Sequence, residues 1–195
     1  MLFLDELPEW NRHALEVLRE PLESGTVTVS RAARSAEFPA RFQLVAAMNP
    51  CPCGWAGGAS GRCRCSDDSI RRYRARISGP LLDRIDLHVD VPRLPPQALR
   101  ADAAPGESSA AVRARVELAR QRQLARAGCP NGQLGHSETL RDCRLQPRDE
   151  ALLEHAIDRL RLSARSLHRI LRVARTIADL AGSDAIATAH LTEAI

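Results

Sequence analysis

Two short apolar runs near the start of the chain each end in polar side chains. Residues 1–4 are continuously apolar and lead into Asp5 and Glu6, and residues 41–48 form a second, largely apolar run that ends at Asn49. Short apolar runs are typical of buried parallel strands. The carboxyl ends of such strands meet at one edge of a sheet, where open α/β sheets bind ligands. The pattern therefore predicts one site formed by all three polar residues.

An apolar strand that ends in two carboxylates is typical of the Walker-B element of P-loop ATPases. In this interpretation Asp5 helps to hold Mg²⁺, a hard cation that prefers oxygen ligands, and Glu6 orients and polarises the attacking water. Asn49 is then a candidate to hydrogen-bond the γ-phosphate or that water. The residues alone leave simpler alternatives open. Asp5 and Glu6 could be two acids that happen to end a strand, and Asn49 could be an ordinary turn residue before proline.

Between the two runs, the pattern predicts a helix and then a β-hairpin. Apolar residues recur at helical spacing up to Gly25, which marks the end of the helical region. Two short extended segments within residues 26–38 flank Arg31 and Arg34, so a hairpin with both arginines near its tip is predicted. A solvated turn would also accommodate arginine at these positions.

Four cysteines follow as two close pairs, with a glycine-rich loop between them: Cys51 with Cys53, and Cys63 with Cys65. Four thiolates from two close pairs can form the tetrahedral sulfur set that Zn²⁺ prefers. The C-x-C spacing is tighter than the usual C-x₂₋₄-C. A structural zinc ion and a set of reduced loop thiols are therefore both open interpretations.

The next stretch predicts two short helices and a strand. Asp67 or Asp68 is expected to cap the first helix, and the second is expected to begin at Pro80. Alternating apolar side chains over residues 85–91 predict a half-buried strand. Arg84 lies at the junction, where a side chain can project from the domain.

Proline, alanine and glycine dominate residues 93–107, which is a linker composition. We therefore predict one domain over residues 1–92 and a second, helical domain over residues 108–195. Its elements are an arginine-rich helix up to residue 127, a loop, and helices from residue 147 onward. The middle helix of that last group carries Arg165, Arg169 and Arg172 on one face, for which a solvated surface is the simplest interpretation.

The composition is that of an ordinary globular protein, with 44% hydrophobic and 27% charged residues. The net charge is +4, and all 28 basic residues are arginine. Because lysine is absent, the chain contains no G-x-x-x-x-G-K-[ST] phosphate loop. No apolar run reaches the ~20 residues of a membrane span, and no signal peptide opens the chain. We therefore expect a cytoplasmic protein without a membrane partner, whose cysteines are reduced or metal-bound.

Four stretches taken together resemble a known family: residues 2–9, 44–54, 76–86 and 162–180. They are similar to magnesium-chelatase-like AAA+ ATPases of the competence protein ComM (YifB) type, and the resemblance extends over essentially the whole chain. It implies a partial α/β P-loop AAA+ core followed by an all-α lid domain, with ATP and Mg²⁺ as cofactors.

The resemblance also implies roles for single residues. Asp5 and Glu6 match Walker B, and Asn49 matches sensor 1. Arg84 matches the arginine finger that reaches the γ-phosphate bound to a neighbouring subunit, and Arg165 matches sensor 2 of the lid. The roles of Arg84 and Arg165 follow from the resemblance and not from spacing or composition.

The resemblance further implies that the hairpin over residues 26–38 is a pre-sensor-1 hairpin. In related ring helicases this hairpin tracks DNA in the central pore, so Arg31 and Arg34 become candidate DNA contacts. The implied assembly is a homohexameric ring, and the implied partner is single-stranded or branched DNA that is remodelled during natural transformation.

The chain departs from the family pattern because it contains neither a Walker-A motif nor the Lon-like N-terminal domain. We expect it to be the C-terminal part of such a protein and to be inactive as an ATPase by itself. Two other functions remain open: a chelatase-type motor for metal insertion into porphyrin, and a non-catalytic, zinc-bearing nucleic-acid-binding module. The cysteine motif and the hairpin arginines argue against the chelatase.

Overall fold

The computed structural model describes residues 1–31, 34–57, 61–94 and 106–195, and these form two compact units. Unit 1 is Met1–His88 and unit 2 is Val89–Ile195. Most of the predicted linker, residues 95–105, lies outside the described residues. In the part of the chain that is described, no helix is both long and apolar enough to cross a membrane.

Unit 1 contains two small sheets of two strands each. Strand β1 (Leu2–Leu4) pairs in parallel with β4 (Leu44–Ala46), and β2 (Thr26–Arg31) pairs in antiparallel fashion with β3 (Arg34–Pro39). These pairings confirm the predicted parallel strands and the predicted hairpin. The hairpin tip, residues 32–33, lies outside the described residues.

The predicted burial of the parallel strands is only partly correct. Leu4 is buried, but Phe3 is 57% exposed and Val45 is 36% exposed. Strand β4 is also shorter than the predicted run, because only three of its residues pair with β1. Successive side chains of a strand point to opposite faces, and only one face of this sheet is covered by the described residues.

The covered face of β1 packs on short helical segments. These are a 3₁₀ turn (Leu7–Glu9), α1 (Arg12–Val17), α2 (Arg19–Ser24) and α4 (Gly79–Leu82), while α3 (Asp67–Arg74) precedes α4 along the chain. A cluster of buried aliphatic side chains holds them together: Leu4, Leu7, Leu15, Ile77 and Leu81. Gly25 follows α2 with a φ of 73°, so the predicted helix end is confirmed.

Two predictions for residues 67–91 are wrong. The cap of α3 is Ser66, whose hydroxyl accepts a hydrogen bond from the Ser69 N–H, while Asp67 begins the helix. Residues 85–91 do not form a strand within the described part of the chain. Leu87 and Val89 are 66% and 78% exposed, because no described element covers their alternating apolar face.

Within the described residues, the regular structure of unit 2 consists of helices. They are α5 (Ser109–Ala127), α6 (His136–Asp142), α7 (Pro147–Leu160), α8 (Ala164–Leu180) and α9 (Thr188–Ala194), with a 3₁₀ turn at Asn131–Gln133. The predicted starts of the last two helices are confirmed, since Ser163 caps α8 and Thr188 begins α9. Helix α6 lies outside the predicted helices, because it is short and its first turn is polar.

Helix α8 is the centre of unit 2. Its buried residues Ile170, Leu171, Ala174 and Ala178 belong to a core cluster that also contains Leu191 of α9. Alanine at two of these positions lets neighbouring helices approach closely. The apolar stripe recurs every three or four residues, which is why sequence periodicity predicted this helix well.

Candidate functional site

The parallel pairing of β1 and β4 brings the two polar strand ends to one sheet edge. The pairing continues past the strands, since the Ala47 N–H donates to the Leu4 carbonyl and the Leu7 N–H donates to the Ala47 carbonyl, both at 2.9 Å. Asp5 and Glu6 therefore lie beside the backbone that leads into Asn49. The predicted meeting of the two strand ends is confirmed.

Glu6 occupies an unusual backbone conformation. Its φ of 50° is in the left-handed region, which costs a non-glycine residue of order 1–3 kcal/mol unless the surroundings hold it there. The Glu6 N–H donates to the Asp5 Oδ1 at 2.9 Å, and the Asp5 carbonyl accepts from the Trp10 indole N–H at 2.9 Å. These contacts fix the turn, while both carboxylates remain exposed.

Asn49 lies just before the turn that carries the first cysteine pair. Gly54 has a φ of 76°, and a Cβ at that position would lie 3.6 Å from the Asn49 Oδ1. Tyr73 is buried beneath the same turn, and its pKa is raised, first by burial and then by the nearby Glu9 charge. A hydrogen bond involving the Asn49 backbone opposes that rise. The backbone at Asn49 is thus packed against Tyr73, while the Asn49 side chain stays exposed.

Arg84 does not project from unit 1 as predicted. Its side chain is 11% exposed, its guanidinium donates to the Glu23 carboxylate, and its Nη1 donates to the Pro80 carbonyl at 2.7 Å. The carboxylate lies 61 residues earlier in the chain, so no local sequence signal identified this partner. Within this chain, the guanidinium is held by a charge pair and a helical carbonyl.

The four cysteine sulfurs form one cluster. The Sγ atoms of Cys51, Cys53 and Cys63 are 3.4–3.8 Å apart, and all four sulfurs, including that of Cys65, lie within 4.8 Å of one another. Four sulfurs at about 2.3 Å from a tetrahedral Zn²⁺ would be about 3.8 Å apart. The spacing therefore fits a zinc ion.

The thiols of this cluster differ in pKa. Burial acts to raise the pKa of Cys51, but hydrogen bonds from the Ala56 N–H, the Cys53 thiol and the Trp55 N–H outweigh it and lower the pKa to about 6. The pKa of Cys65 is raised to about 11, because the other thiols and burial outweigh a hydrogen bond from the Cys53 N–H. Crowded thiols resist ionising together, and a bound dication would remove that resistance.

The hairpin presents its arginines in register. Arg31 on β2 is the cross-strand partner of Arg34 on β3, and Arg34 is exposed. Every residue of β3 is exposed. The predicted position of the two arginines next to the hairpin tip is confirmed.

Arg165 lies in the first turn of α8 and is exposed. The same helix also carries Arg175 and Asp179, which the sequence analysis did not single out. Their side chains are 3% and 1% exposed, and they form an ion pair of 3.1 Å. Their four-residue spacing is a signal, but it is also common on exposed helix faces.

Comparison with known proteins identifies the class to which these features belong. The model of the family "Magnesium chelatase, subunit ChlI" matches residues 1–99, and that of "Magnesium chelatase, subunit ChlI C-terminal" matches residues 106–195. The chain belongs to the magnesium chelatase subunit ChlI family.

Individual proteins of known sequence are also similar to this chain. The chain is 51% identical over 195 residues to Competence protein ComM of Haemophilus influenzae and 48% identical to protein YifB of Escherichia coli. It is 46% identical over 187 residues to protein Rv2897c of Mycobacterium tuberculosis. All of this chain matches the first two relatives, but it spans only 38% of their length; for the third, 93% of the chain matches 36% of the relative. The resemblance inferred from the sequence is confirmed.

Proposed function

We propose that this chain supplies the second half of a AAA+ ATPase core and its helical lid, in a protein that couples ATP hydrolysis to DNA remodelling. The observation that carries the proposal is the parallel pairing of β1 and β4, which brings Asp5, Glu6 and Asn49 to one sheet edge. Membership of the magnesium chelatase family supports an ATPase. The name Competence protein ComM, borne by one relative, supports a role in competence.

Each residue at the sheet edge has a proposed role in hydrolysis. Asp5 helps to hold Mg²⁺, which neutralises charge on the phosphates when it is bound with ATP. Glu6 accepts a hydrogen bond from the attacking water and orients it. Asn49 donates its amide hydrogens toward the γ-phosphate. The left-handed turn at Glu6, held by its N–H bond to the Asp5 carboxylate, gives the backbone at these two neighbouring residues different conformations.

Two arginines have further proposed roles. Arg84 acts as an arginine finger toward the nucleotide of a neighbouring subunit in a homohexamer, and Arg165 acts as sensor 2. For Arg84 this role requires release from Glu23, an exchange of one anionic partner for another. The bidentate geometry of guanidinium suits both carboxylate and phosphate.

The DNA-binding part of the proposal rests on the hairpin. Arg34 is exposed at the end of a strand pair that extends from the α2 helix through Gly25, with Arg31 directly opposite. Guanidinium groups at a hairpin end can reach backbone phosphates without regard to base sequence.

The test uses a full-length chimera in which this chain replaces the aligned 195 residues of the Haemophilus influenzae relative. Glu6→Gln should lower ATP turnover by at least about 100-fold, because a positioned base contributes roughly 10²–10⁴-fold. ATP binding should persist, since the amide keeps the shape of the side chain. Glu20→Gln, at an exposed carboxylate of α2, is the matched control and should leave turnover unchanged. Normal turnover in Glu6→Gln would refute the site.

The family name itself favours a second candidate, a motor for metal insertion into a porphyrin. The two candidates differ in what stimulates the ATPase. We expect single-stranded DNA to increase turnover of the chimera and a porphyrin with its chelatase partner to leave turnover unchanged. The reverse result would favour the chelatase function.

We further propose that Cys51, Cys53, Cys63 and Cys65 hold a structural zinc ion. The 195-residue chain, purified without chelator, should contain about one zinc per chain, and Cys53→Ser/Cys65→Ser should contain none. Cys129→Ser changes a thiol outside the cluster and is the control. If the chain as purified contains no zinc, and chelator treatment does not change its thermal stability, these cysteines are plain thiols.

A further inference from the structure

We infer that one face of the β2–β3 hairpin is a stacking platform for unpaired bases, with Phe38 as its aromatic residue. The inference rests on the proposed DNA role of the hairpin and adds the form of nucleic acid that the hairpin prefers. It follows from the strand register, the exposure of the apolar side chains and the distribution of charge.

The register sorts the hairpin residues into two faces. Cross-strand partners in an antiparallel pair lie on the same face, and the faces alternate along each strand. One face therefore carries the pairs Val27–Phe38, Val29–Ala36 and Arg31–Arg34. The other carries Thr28–Glu37 and Ser30–Ser35, whose hydroxyls lie 3.1 Å apart.

The apolar face is open to solvent. Phe38 is 51% exposed and Val29 is 48% exposed. Neither residue belongs to the hydrophobic core clusters formed by the described residues. Apolar side chains on a hairpin that no described element covers indicate a binding surface rather than a folding core.

The distribution of charge indicates the occupant. On the apolar face, the cross-strand pair next to the tip is Arg31 and Arg34. Glu37, which is the acidic residue of the two described strands, lies on the polar face. An anionic backbone is therefore attracted to the arginine end, and no register position on that face of the two described strands is acidic. An apolar protein segment would gain nothing from two arginines, but a single-stranded nucleic acid has both a phosphate backbone and flat bases.

Phe38 and Arg34 are four residues apart on β3, which corresponds to about 13–14 Å along the strand. A flexible single strand can contact the arginines with its phosphates and stack a base on Phe38 at the same time. In a duplex the bases are stacked on each other, so stacking on Phe38 would first require unstacking. The face should therefore prefer single strands to duplexes.

The experiment measures binding of the 195-residue chain to a fluorescent oligothymidylate and to an abasic oligonucleotide of equal length, at low salt. The abasic strand keeps the phosphates and lacks the bases. Phe38→Ala should weaken oligothymidylate binding by about 5- to 150-fold and leave abasic binding unchanged. Arg31→Ala/Arg34→Ala should weaken both by the same factor. Thr28→Ala, on the polar face, should change neither.

Two further variants guard against a folding defect. Phe38→Leu keeps a bulky apolar side chain in the strand and should bind like Phe38→Ala, whereas Phe38→Trp should bind at least as well as the unchanged chain. Equal loss on both oligonucleotides, or full binding in Phe38→Leu, would overturn the stacking role. A third result would also overturn it: a Phe38 variant that loses self-association on sedimentation but binds oligothymidylate as before. The face would then be covered by a second copy of the chain.

The two proposals fail separately. If the arginine variant weakens binding and the Phe38 variants do not, the hairpin contacts phosphates only, and the DNA role survives without the platform. If neither variant changes binding, the proposed DNA role of the hairpin falls together with the inference.

Discussion

At the scale of single residues, the carboxylate of Asp179 holds together three parts of unit 2. It accepts two hydrogen bonds from Arg126 of α5, at 2.6 and 2.9 Å, and one of 2.9 Å from the amide of Asn131. Arg175 forms an ion pair with it from one turn earlier in α8. Burial, the largest influence, acts to raise the pKa of Asp179, but these partners outweigh burial and lower it.

We predict that Asp179→Asn lowers the free energy of unfolding of unit 2 by about 3–5 kcal/mol near neutral pH. Removing one partner of a buried ion pair leaves the remaining charges uncompensated. Because the folded pKa is lowered, the carboxylate stabilises the fold above its ordinary pKa of about 3.9, and this contribution is lost as the pH falls through the folded value. The difference between variant and unchanged chain should therefore shrink in acid.

Urea unfolding followed by far-ultraviolet circular dichroism measures the difference in unfolding free energy between the variant and the unchanged chain. The method reports helix content, and the regular structure described in unit 2 is helical. Asp184→Asn is the control, because Asp184 is fully exposed and pairs with Arg122 at 3.3 Å. An exposed pair of this kind contributes little to stability. An Asp179→Asn variant as stable as the control, or a difference that grows in acid, would contradict the account.

At the scale of elements, the hairpin gives a prediction about ionic strength. In the full-length chimera, Arg31→Ala/Arg34→Ala should weaken single-stranded DNA binding for all sequences. It should also flatten the dependence of log affinity on log salt by roughly one unit per lost phosphate contact. ATP turnover without DNA should persist, because neither residue belongs to the nucleotide site. An unchanged salt slope would remove the hairpin from the DNA-binding surface.

The elements also show which features the sequence could predict. The apolar runs at β1 and β4 and the spacing in α8 predicted the parallel strands and a core helix, because the order of apolar residues along the chain indicates the type of element. The runs overstated how deeply the two strands are buried. The same reasoning failed for residues 85–91, where alternating apolar side chains lack a described partner. Periodicity shows which face would be buried and contains no information about what covers it.

The candidate site shows the same limit. The sequence predicted that Asp5, Glu6 and Asn49 would meet, because the geometry of parallel strands determines where strand ends lie. It also predicted the cysteine cluster from spacing. It missed the contact between Arg84 and Glu23, since side-chain pairs distant in sequence depend on packing that no local pattern encodes.

At the scale of the whole molecule, the proposed ATPase is composite. One subunit supplies the sheet edge with Glu6, and its neighbour supplies Arg84. An arginine finger contributes a factor of about 10³–10⁵ to turnover. We therefore expect Arg84→Ala in the chimera to remove most ATP turnover while nucleotide binding is nearly unchanged.

Mixing two inactive variants tests this arrangement most directly. Subunits with Arg84→Ala keep Glu6, and subunits with Glu6→Gln keep Arg84, so some interfaces in a mixed ring regain a complete site. ATP turnover of the mixture should clearly exceed the sum of the two variants measured separately. A mixture no more active than that sum, or normal turnover by Arg84→Ala alone, would contradict the composite site.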